Sequence, residues 1–548
     1  MKNDVQCAAG RADPAVAADL VLLEGGELLE GVAVRDGRVV GTQVMGQFIG
    51  EKTHIIELGG RTVVPGLVDG HAHLYGLGAS LENISLRGYD SEEKAAAAVA
   101  EAAKLRPGDD WLVGRGWDQN LWTPQEFPTK GSLDAVVANR PVAVRRVDGH
   151  ALWANSKAIG IAGITRKTRD PVGGKILHDA RGEPTGVFID TAMDLVESKI
   201  PAPSPEVIER RILAAAAVAV EKGLTGVHEM GIGDATIAVY RKLATEGRLP
   251  LRVYAFLSYQ AGVLETLPTR ERILDEGGRF TLRAVKVYAD GALGSRGAAL
   301  LAPYSDDAKN SGHMITSAEE IAEVVKVAAA AGWQVGVHAI GDRANRVALD
   351  AFEKVIEADR MRNPRFRVEH AQVVAPEDLS RFGELGVIAS MQPTHCTSDM
   401  PWAEERVGAE RVKGAYAWRR VKDLGGHILG GSDFPIEGVS PLLGIYAAVT
   451  RQDVDGHPAD GWYPDQRLTL FEAVQAFTYE PAYASFTEAE RDRADLTVFD
   501  RPLAADRSLL ETKVELTLVG GNVVFASPWA QQQMAAPASR VSLCPETR

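Results

Sequence analysis

The sequence predicts a (β/α)8 barrel, on three observations. In the middle of the chain apolar, strand-like runs alternate with helical stretches such as 207–222, 317–331 and 342–358, the rhythm of βα units around a parallel sheet. The run Pro65-Gly66-Leu67-Val68-Asp69-Gly70 ends in His71-Ala72-His73, and later runs also end in residues able to bind a metal. The carboxyl ends of barrel strands share one rim, so such residues would meet there although they lie far apart in sequence.

At 548 residues the chain exceeds one ordinary core, so smaller units beside the barrel are expected. Short strands and turns fill the first part, as in Leu20-Val21-Leu22-Leu23, Gly31-Val32-Ala33-Val34 and His54-Ile55-Ile56-Glu57-Leu58. The end repeats that character in Asp495-Leu496-Thr497-Val498-Phe499 and in two runs around the turn Gly520-Gly521. We therefore expect residues 1–64 and 485–548 to pair into one small β-sandwich, and 65–484 to form the barrel. Residues 74–204 interrupt the βα rhythm after the first strand with a segment rich in Trp, Gly, Pro and Arg. An insertion there is expected over the carboxyl-terminal face, as a lid or substrate-shaping subdomain. The tail after about Ser527, with Gln531-Gln532-Gln533, reads as frayed.

Composition narrows the classes. A hydrophobic content of 45% with 24% charged residues is that of a globular protein. The net charge of −14 is spread along the chain, which argues against nucleic acid or an anionic membrane as partner. Cys7, Cys396 and Cys544 are far apart and form no Cys-x-x-Cys, so neither a disulfide framework nor a thiolate zinc site is expected. The first thirty residues hold no apolar signal core, and no run approaches the ~20 apolar residues of a membrane span. The expectation is a cytoplasmic enzyme with a small-molecule substrate, for which a homodimer would be compatible.

His71 and His73 are two apart, so on a strand both imidazoles point to one face and can reach one cation. Four further runs carry metal-competent residues: 283–288 contains Lys286 and leads to Asp290, 334–338 ends in His338, 366–370 ends in His370, and 427–433 ends in Asp433. Imidazoles and carboxylates are the usual donors for zinc or a similar borderline cation. Water on such an ion falls from a pKa of ~15.7 to about 7, which supplies a nucleophile without a serine. A histidine in an apolar run can otherwise be a hydrogen-bonded core residue, and Asp433 could cap a turn. Lys286 is harder to account for that way, because a buried unpaired ammonium is costly.

Long segments resemble the amidohydrolase superfamily, in its branch known as amidohydrolase family 3. They include Val64-Pro65-Gly66-Leu67-Val68-Asp69-Gly70-His71-Ala72-His73, Val147-Asp148-Gly149-His150, Ala289-Asp290-Gly291-Ala292-Leu293-Gly294-Ser295-Arg296, His338-Ala339-Ile340-Gly341-Asp342-Arg343-Ala344-Asn345 and Gly431-Ser432-Asp433-Phe434-Pro435. The resemblance implies a metal-dependent hydrolase with two divalent ions, most simply Zn2+. His71 and His73 would hold the more buried ion, and His338 and His370 the more exposed one. Lys286 would be carboxylated to a carbamate bridging both, which turns the buried cation into an anionic ligand. Asp433 would contact metal and carry the proton, from the attacking water to the departing nitrogen.

The implied reaction cleaves a non-peptide C–N bond: an N-acyl or N-formyl amine, a lactam or another cyclic amide. A deaminase is a second reading, although the family's deaminases generally use one metal and no carbamate. A third is a non-hydrolytic descendant, an isomerase, lyase or binding protein. His150, His228, Arg296, Trp117 and Trp122 are the further candidates for contacts to substrate, with hydrogen bonding or core packing as the competing role of each. One departure stands out. Before Ala494-Asp495-Leu496 the family usually carries a Gly-x-Ile/Leu-x-x-Gly-Lys turn, whereas Phe486-Thr487-Glu488-Ala489-Glu490-Arg491-Asp492-Arg493 lacks it and is shortened.

Overall fold

A computed structural model describes residues 20–23, 30–43, 45–50, 52–106, 108–147, 149–171, 173–359 and 363–535. The chain divides into two compact units, one of Met1–Gly76 with Ile212–Arg548 and the other of Leu77–Arg211.

The first unit contains eight parallel strands that follow one another in chain order around a nearly closed barrel. They are β1 (Leu67–Ala72), β2 (Leu224–Ile232), β3 (Arg252–Ser258), β4 (Phe280–Tyr288), β5 (Gln334–Ala339), β6 (Arg367–His370), β7 (Ile388–Met391) and β8 (His427–Gly430). Burial on both faces is what a parallel strand covered by helices requires, and β6 and β7 are buried at every residue. Between β4 and β5 the helix Ala318–Ala330 starts at Ser317, whose hydroxyl accepts from Glu320 N at 3.1 Å. It buries Ile321, Val324, Val325 and Ala328, the i, i+3, i+4, i+7 stripe of a helix lying on a sheet. The rim closes between the ends of β1 and β8: Asp433 N donates to His71 O at 2.7 Å, and His73 N to Phe434 O at 2.9 Å.

Two four-stranded sheets complete this unit. One consists of Arg38–Gln43, Glu30–Arg35, Leu20–Leu23 and His54–Glu57; the other joins Thr62–Pro65 to Leu496–Phe499, Val514–Val519 and Asn522–Ala526. Val34 and Ile56 of the first sheet share a core with Val498, Leu516 and Leu518 of the second, so both chain ends build one sandwich.

The frayed tail expected after Ser527 is corrected. Pro528–Ala535 is a helix whose Ala530 and Met534, four apart and so on one face, pack on the sandwich core, while the Arg61 guanidinium lies 3.6 Å from the Trp529 ring. The glutamines that suggested fraying are its polar side. Residues 536–548, with Cys544, lie outside the described residues, as do Cys7 and Asp148. Among the described residues no helix is long and apolar enough to cross a membrane.

The shortened segment before Ala494 forms a 3-10 turn at Glu488–Glu490. Glu488 takes Arg365 on both oxygens at 2.6 and 2.9 Å, the Arg283 guanidinium lies 3.7 Å from the Phe486 ring, and Asp492 pairs with Arg38 at 2.7 Å.

The second unit is a folded α/β layer with its own core. Its six-stranded sheet has the order Gly174–His178, Pro184–Asp190, Ala151–Ala154, Val142–Arg146, Leu112–Trp117, Ile84–Ser85. The first three pairings are antiparallel and the last two parallel. The tryptophans that marked this segment gather on one face: Trp117, Trp122 and Trp153 lie with ring centres 6.0 to 6.3 Å apart, over Val99 and Leu133.

Candidate metal centre at the carboxyl-terminal rim

Strand register sets the heights of the rim residues. Tyr288 pairs with His338 and Ala339 with His370, which brings the ends of β4, β5 and β6 to one level. The His338 and His370 rings are 4.5 Å apart edge to face, and the His71 and His370 rings 4.7 Å apart. Across the seam, Asp433 Oδ1 is 3.1 Å from His73 Nε2 and 3.5 Å from His71 Nε2. Gly431 is required at this crossing, since a Cβ there would lie 2.6 Å from His71 N. His370, Ala371 and Asp433 all have positive φ, at 74°, 43° and 60°, so the rim stores backbone strain where its donors sit.

His71 and His370 each have a partner that orients the ring. His71 Nδ1 is 2.7 Å from Glu369 Oε2, which leaves Nε2 facing the cluster. His370 Nδ1 is 2.7 Å from Gln392 Oε1. Glu369 in turn takes Arg367 at 2.7 and 2.9 Å, and a Cβ on Gly336 would stand 2.7 Å from its Oε1. Asp69 accepts from His71 N at 3.0 Å and from the Ser432 hydroxyl at 2.6 Å, tying β1 to the loop of Asp433. Glu229 accepts from Leu74 N and from Tyr75 N, holding the turn that follows His73. Asp290 accepts from Ala299, Ile340 and Gly341 N–H groups at 2.8, 3.0 and 2.8 Å, an anchor for the rim loops, and its Oδ1 stands 3.6 Å from His338 Nε2.

The electrostatics favour neutral imidazoles. Burial, then the charge of Lys286, pushes His71 down to about 4 and His338 to about 3, and burial drives His370 well below the usual histidine range. For Asp433, burial opposes ionisation but is outweighed by the neighbouring His73, His71 and His395, so its carboxyl stays below the ordinary range. Lys286 is 1% exposed, and burial pulls it down to about 8 against Glu369 and Asp433.

These residues fit a metal ion. Ring atoms His71 Nε2, His338 Nε2 and His395 Nε2 are buried without a hydrogen-bond partner, an expensive state unless something else occupies their lone pairs. Donor atoms of His71, His73 and Asp433 lie within 4.8 Å of one another, as do those of His370, His395 and Asp433.

Of the further candidates, Trp117 and Trp122 are corrected to core residues. Both are buried, with indole N–H groups bonded to Val144 O at 2.8 Å and Tyr89 O at 3.1 Å. An aromatic-rich stretch reads alike whether it lines a pocket or fills a core. His150, three-quarters exposed in the second unit, has Nδ1 2.9 Å from Asp190 Oδ1. His228 is buried deeper in the barrel, Nδ1 2.8 Å from Arg367 Nη1. Arg296 is engaged by Asp306 at 3.1 and 2.8 Å.

Sequence reading passed over His395, Glu369, Arg367, Gln392 and Asp69. Arg367 and Glu369 had a signal, two charges at a spacing of two in an otherwise apolar strand. His395, in the first turn of the helix Pro393–Asp399, had none beyond following a strand-like run.

A parallel barrel with histidines and an aspartate gathered at its carboxyl rim defines a class of fold suited to metal-assisted chemistry. The chain belongs to the amidohydrolase family, whose model matches residues 54–525. It is 34% identical over 525 residues to YtcJ of Bacillus subtilis (strain 168), which carries the name of an amidohydrolase, covering 92% of this chain and 97% of that one. It is 28% identical over 527 residues to the N-substituted formamide deformylase of Arthrobacter pascens, covering 90% and 94%. A metal-dependent hydrolase of Pyrococcus furiosus has a similar structure, with a TM-score of 0.73 and 29% identity over 89% of this chain and 98% of that one. The chain is thus a hydrolase of this family, with histidine and aspartate groups able to hold metal.

Proposed function

We propose that this hydrolase cleaves a non-peptide C–N bond in an N-acyl or N-formyl amine, a lactam or another cyclic amide. The observation that carries the reading is the convergence of His71, His73, His338, His370 and Asp433 at one rim, with His71 Nε2, His338 Nε2 and Asp433 Oδ1 buried and unpartnered. The likeness to a formamide deformylase supports the choice of bond.

Those five residues and Lys286 would hold two divalent ions, most simply zinc, which would supply Lewis acidity toward a carbonyl oxygen and toward water. Lys286 is suited to carboxylation because burial favours its neutral amine, and among the described residues it has no ion pair. The amine would add to carbon dioxide and lose one proton. Asp433 takes a proton from the attacking water and returns it to the leaving nitrogen, a role that its ionised state allows. Gln392 and Glu369 keep the His370 and His71 rings turned toward the reacting centre.

The test is metal analysis of the purified chain with a screen of formamides, N-acyl amino acids, lactams and hydantoin-like rings. Release of an amine or amino acid, or opening of a hydantoin ring to its carbamoyl amino acid, lost on chelation, is the expected result. A metal-loaded protein that turns over none of these classes would overturn the choice of bond.

A further inference from the structure

The turn that follows β7 brings two side chains to the rim. Gln392 ends the strand, with its Oε1 2.7 Å from His370 Nδ1. His395, in the short helix Pro393–Asp399, donates its backbone N–H to Gln392 O at 3.1 Å. Its ring lies nearly parallel to that of His370, with centres 5.9 Å apart and planes at 21°. The same turn thus orients one imidazole and supplies another beside it.

His395 Nε2 is buried and has no hydrogen-bond partner. Asp433 Oδ2 stands 3.8 Å away, beyond hydrogen-bond reach. The two oxygens of that carboxylate serve different sides: Oδ1 is 3.1 Å from His73 Nε2 and 3.5 Å from His71 Nε2, and Oδ2 is turned toward His395. Asp433 therefore stands between two groups of donors, one with His71 and His73 and the other with His370 and His395, and the donor atoms of each group lie within 4.8 Å of one another. Ligands held tetrahedrally at the zinc–nitrogen distance of about 2.0–2.1 Å lie about 3.4 Å apart, so the spacing of 3.8 Å needs only a small inward shift. A buried ring nitrogen with nothing on its lone pair is costly as packing and apt as a ligand.

We propose that His395 is a metal ligand, its Nε2 binding the same divalent ion as His370. The inference rests on the two-ion reading above and adds to the residues named there a donor from the turn after β7. An ion faced by two imidazoles and a carboxylate is a borderline cation such as zinc or cobalt in preference to magnesium, which favours oxygen donors.

The test crystallises the zinc-loaded full chain and locates the ions by anomalous scattering at the zinc edge. An ion about 2.0–2.1 Å from His395 Nε2 is the expected result. In solution, competition with a chromophoric chelator compares zinc binding by the wild type, His395→Phe and His395→Gln. One of the two ions should bind at least about tenfold more weakly to both variants, since even a residue that only supports a ligand is worth that much. Should both variants fail to fold, the anomalous map of the wild type decides alone. Ions at the rim with none bonded to His395, or both ions held with wild-type affinity by a folded variant, would overturn the proposal. Zinc bonded to His395 in a protein that cleaves none of the amides would support it while overturning the choice of bond. A chain that binds no zinc would overturn this ligand and the metal centre together.

Discussion

His71 Nδ1 and Glu369 Oε2 lie 2.7 Å apart with both side chains wholly buried, and Arg367 completes the pair from below. The carboxylate stays ionised because Arg367 and His71 outweigh the burial that opposes it. A histidine donating from Nδ1 to a carboxylate presents Nε2 as a fixed lone pair, which is what a metal ligand needs.

Replacing Glu369 by Gln keeps an acceptor but removes the charge, and metal affinity should fall about 10- to 100-fold. Glu369→Ala should also leave Arg367 buried and unpaired, at about 3–5 kcal/mol of stability. Metal content after dialysis against a buffered chelator, and urea unfolding, measure the two effects. Unchanged metal retention in Glu369→Gln would remove Glu369 from the support of His71.

Asp433→Asn should bind metal to a similar extent and lose about 10²- to 10⁴-fold in kcat, because an amide cannot carry the proton. Turnover within a few-fold of wild type would assign the proton transfer elsewhere, with His395, whose Nε2 stands 3.8 Å from Asp433 Oδ2, as the next residue to vary.

The pH dependence of stability can be isolated at His338, whose folded value of about 3 lies below the 6.5 of an exposed histidine. Between those values the unfolded chain holds a proton that the native state refuses, so the native state loses stability as pH falls. In the metal-free protein, the stability difference between wild type and His338→Gln should be flat above about pH 7. It should shift against the wild type at lower pH, by up to about 1.4 kcal/mol per unit. Taking the difference cancels Asp69 and Glu229, which burial raises to about 7 and which act in the opposite sense. A difference independent of pH from 7 to 4 would show that His338 titrates normally.

Incubation with 13C-bicarbonate should produce a carbamate carbon resonance in the metal-loaded wild type and none in Lys286→Gln. The variant should also lose bound metal. Full metal content and turnover in Lys286→Gln would sink the carboxylated-lysine reading.

Gly431→Ala places a methyl group against the His71 backbone and should cost about 1–3 kcal/mol by overpacking, with weaker metal retention. Denaturant melts with metal analysis check both, and a neutral outcome would mean that the β1–β8 seam can spread.

The barrel was legible because short continuous apolar runs, the mark of strands buried on both faces, alternate with longer amphipathic stretches of period about 3.6. The rim residues were legible because they end strands, where a histidine or aspartate interrupts an apolar run. The supporting residues were harder to see. Gln392, Asp69 and His395 matter only through partners on other strands, and nothing adjacent in sequence announces those contacts. The tryptophans of the second unit were misread for a related reason, since Trp117 and Trp122 look the same in sequence whether they face a ligand or each other. The tail helix was overlooked because one buried alanine and a methionine make a faint stripe among glutamines.

The hydrogen bond from Ser432 to Asp69 joins residues 363 positions apart in the chain. The candidate metal site straddles that same seam, so His71 and His73 leave the ribosome long before Asp433 exists to complete their cluster. A nascent chain would therefore present an unfinished claw through most of its synthesis, and the last barrel strand would complete the group able to capture metal. Truncation anywhere before Asp433 should yield a polypeptide that loads metal poorly however well its earlier βα units fold.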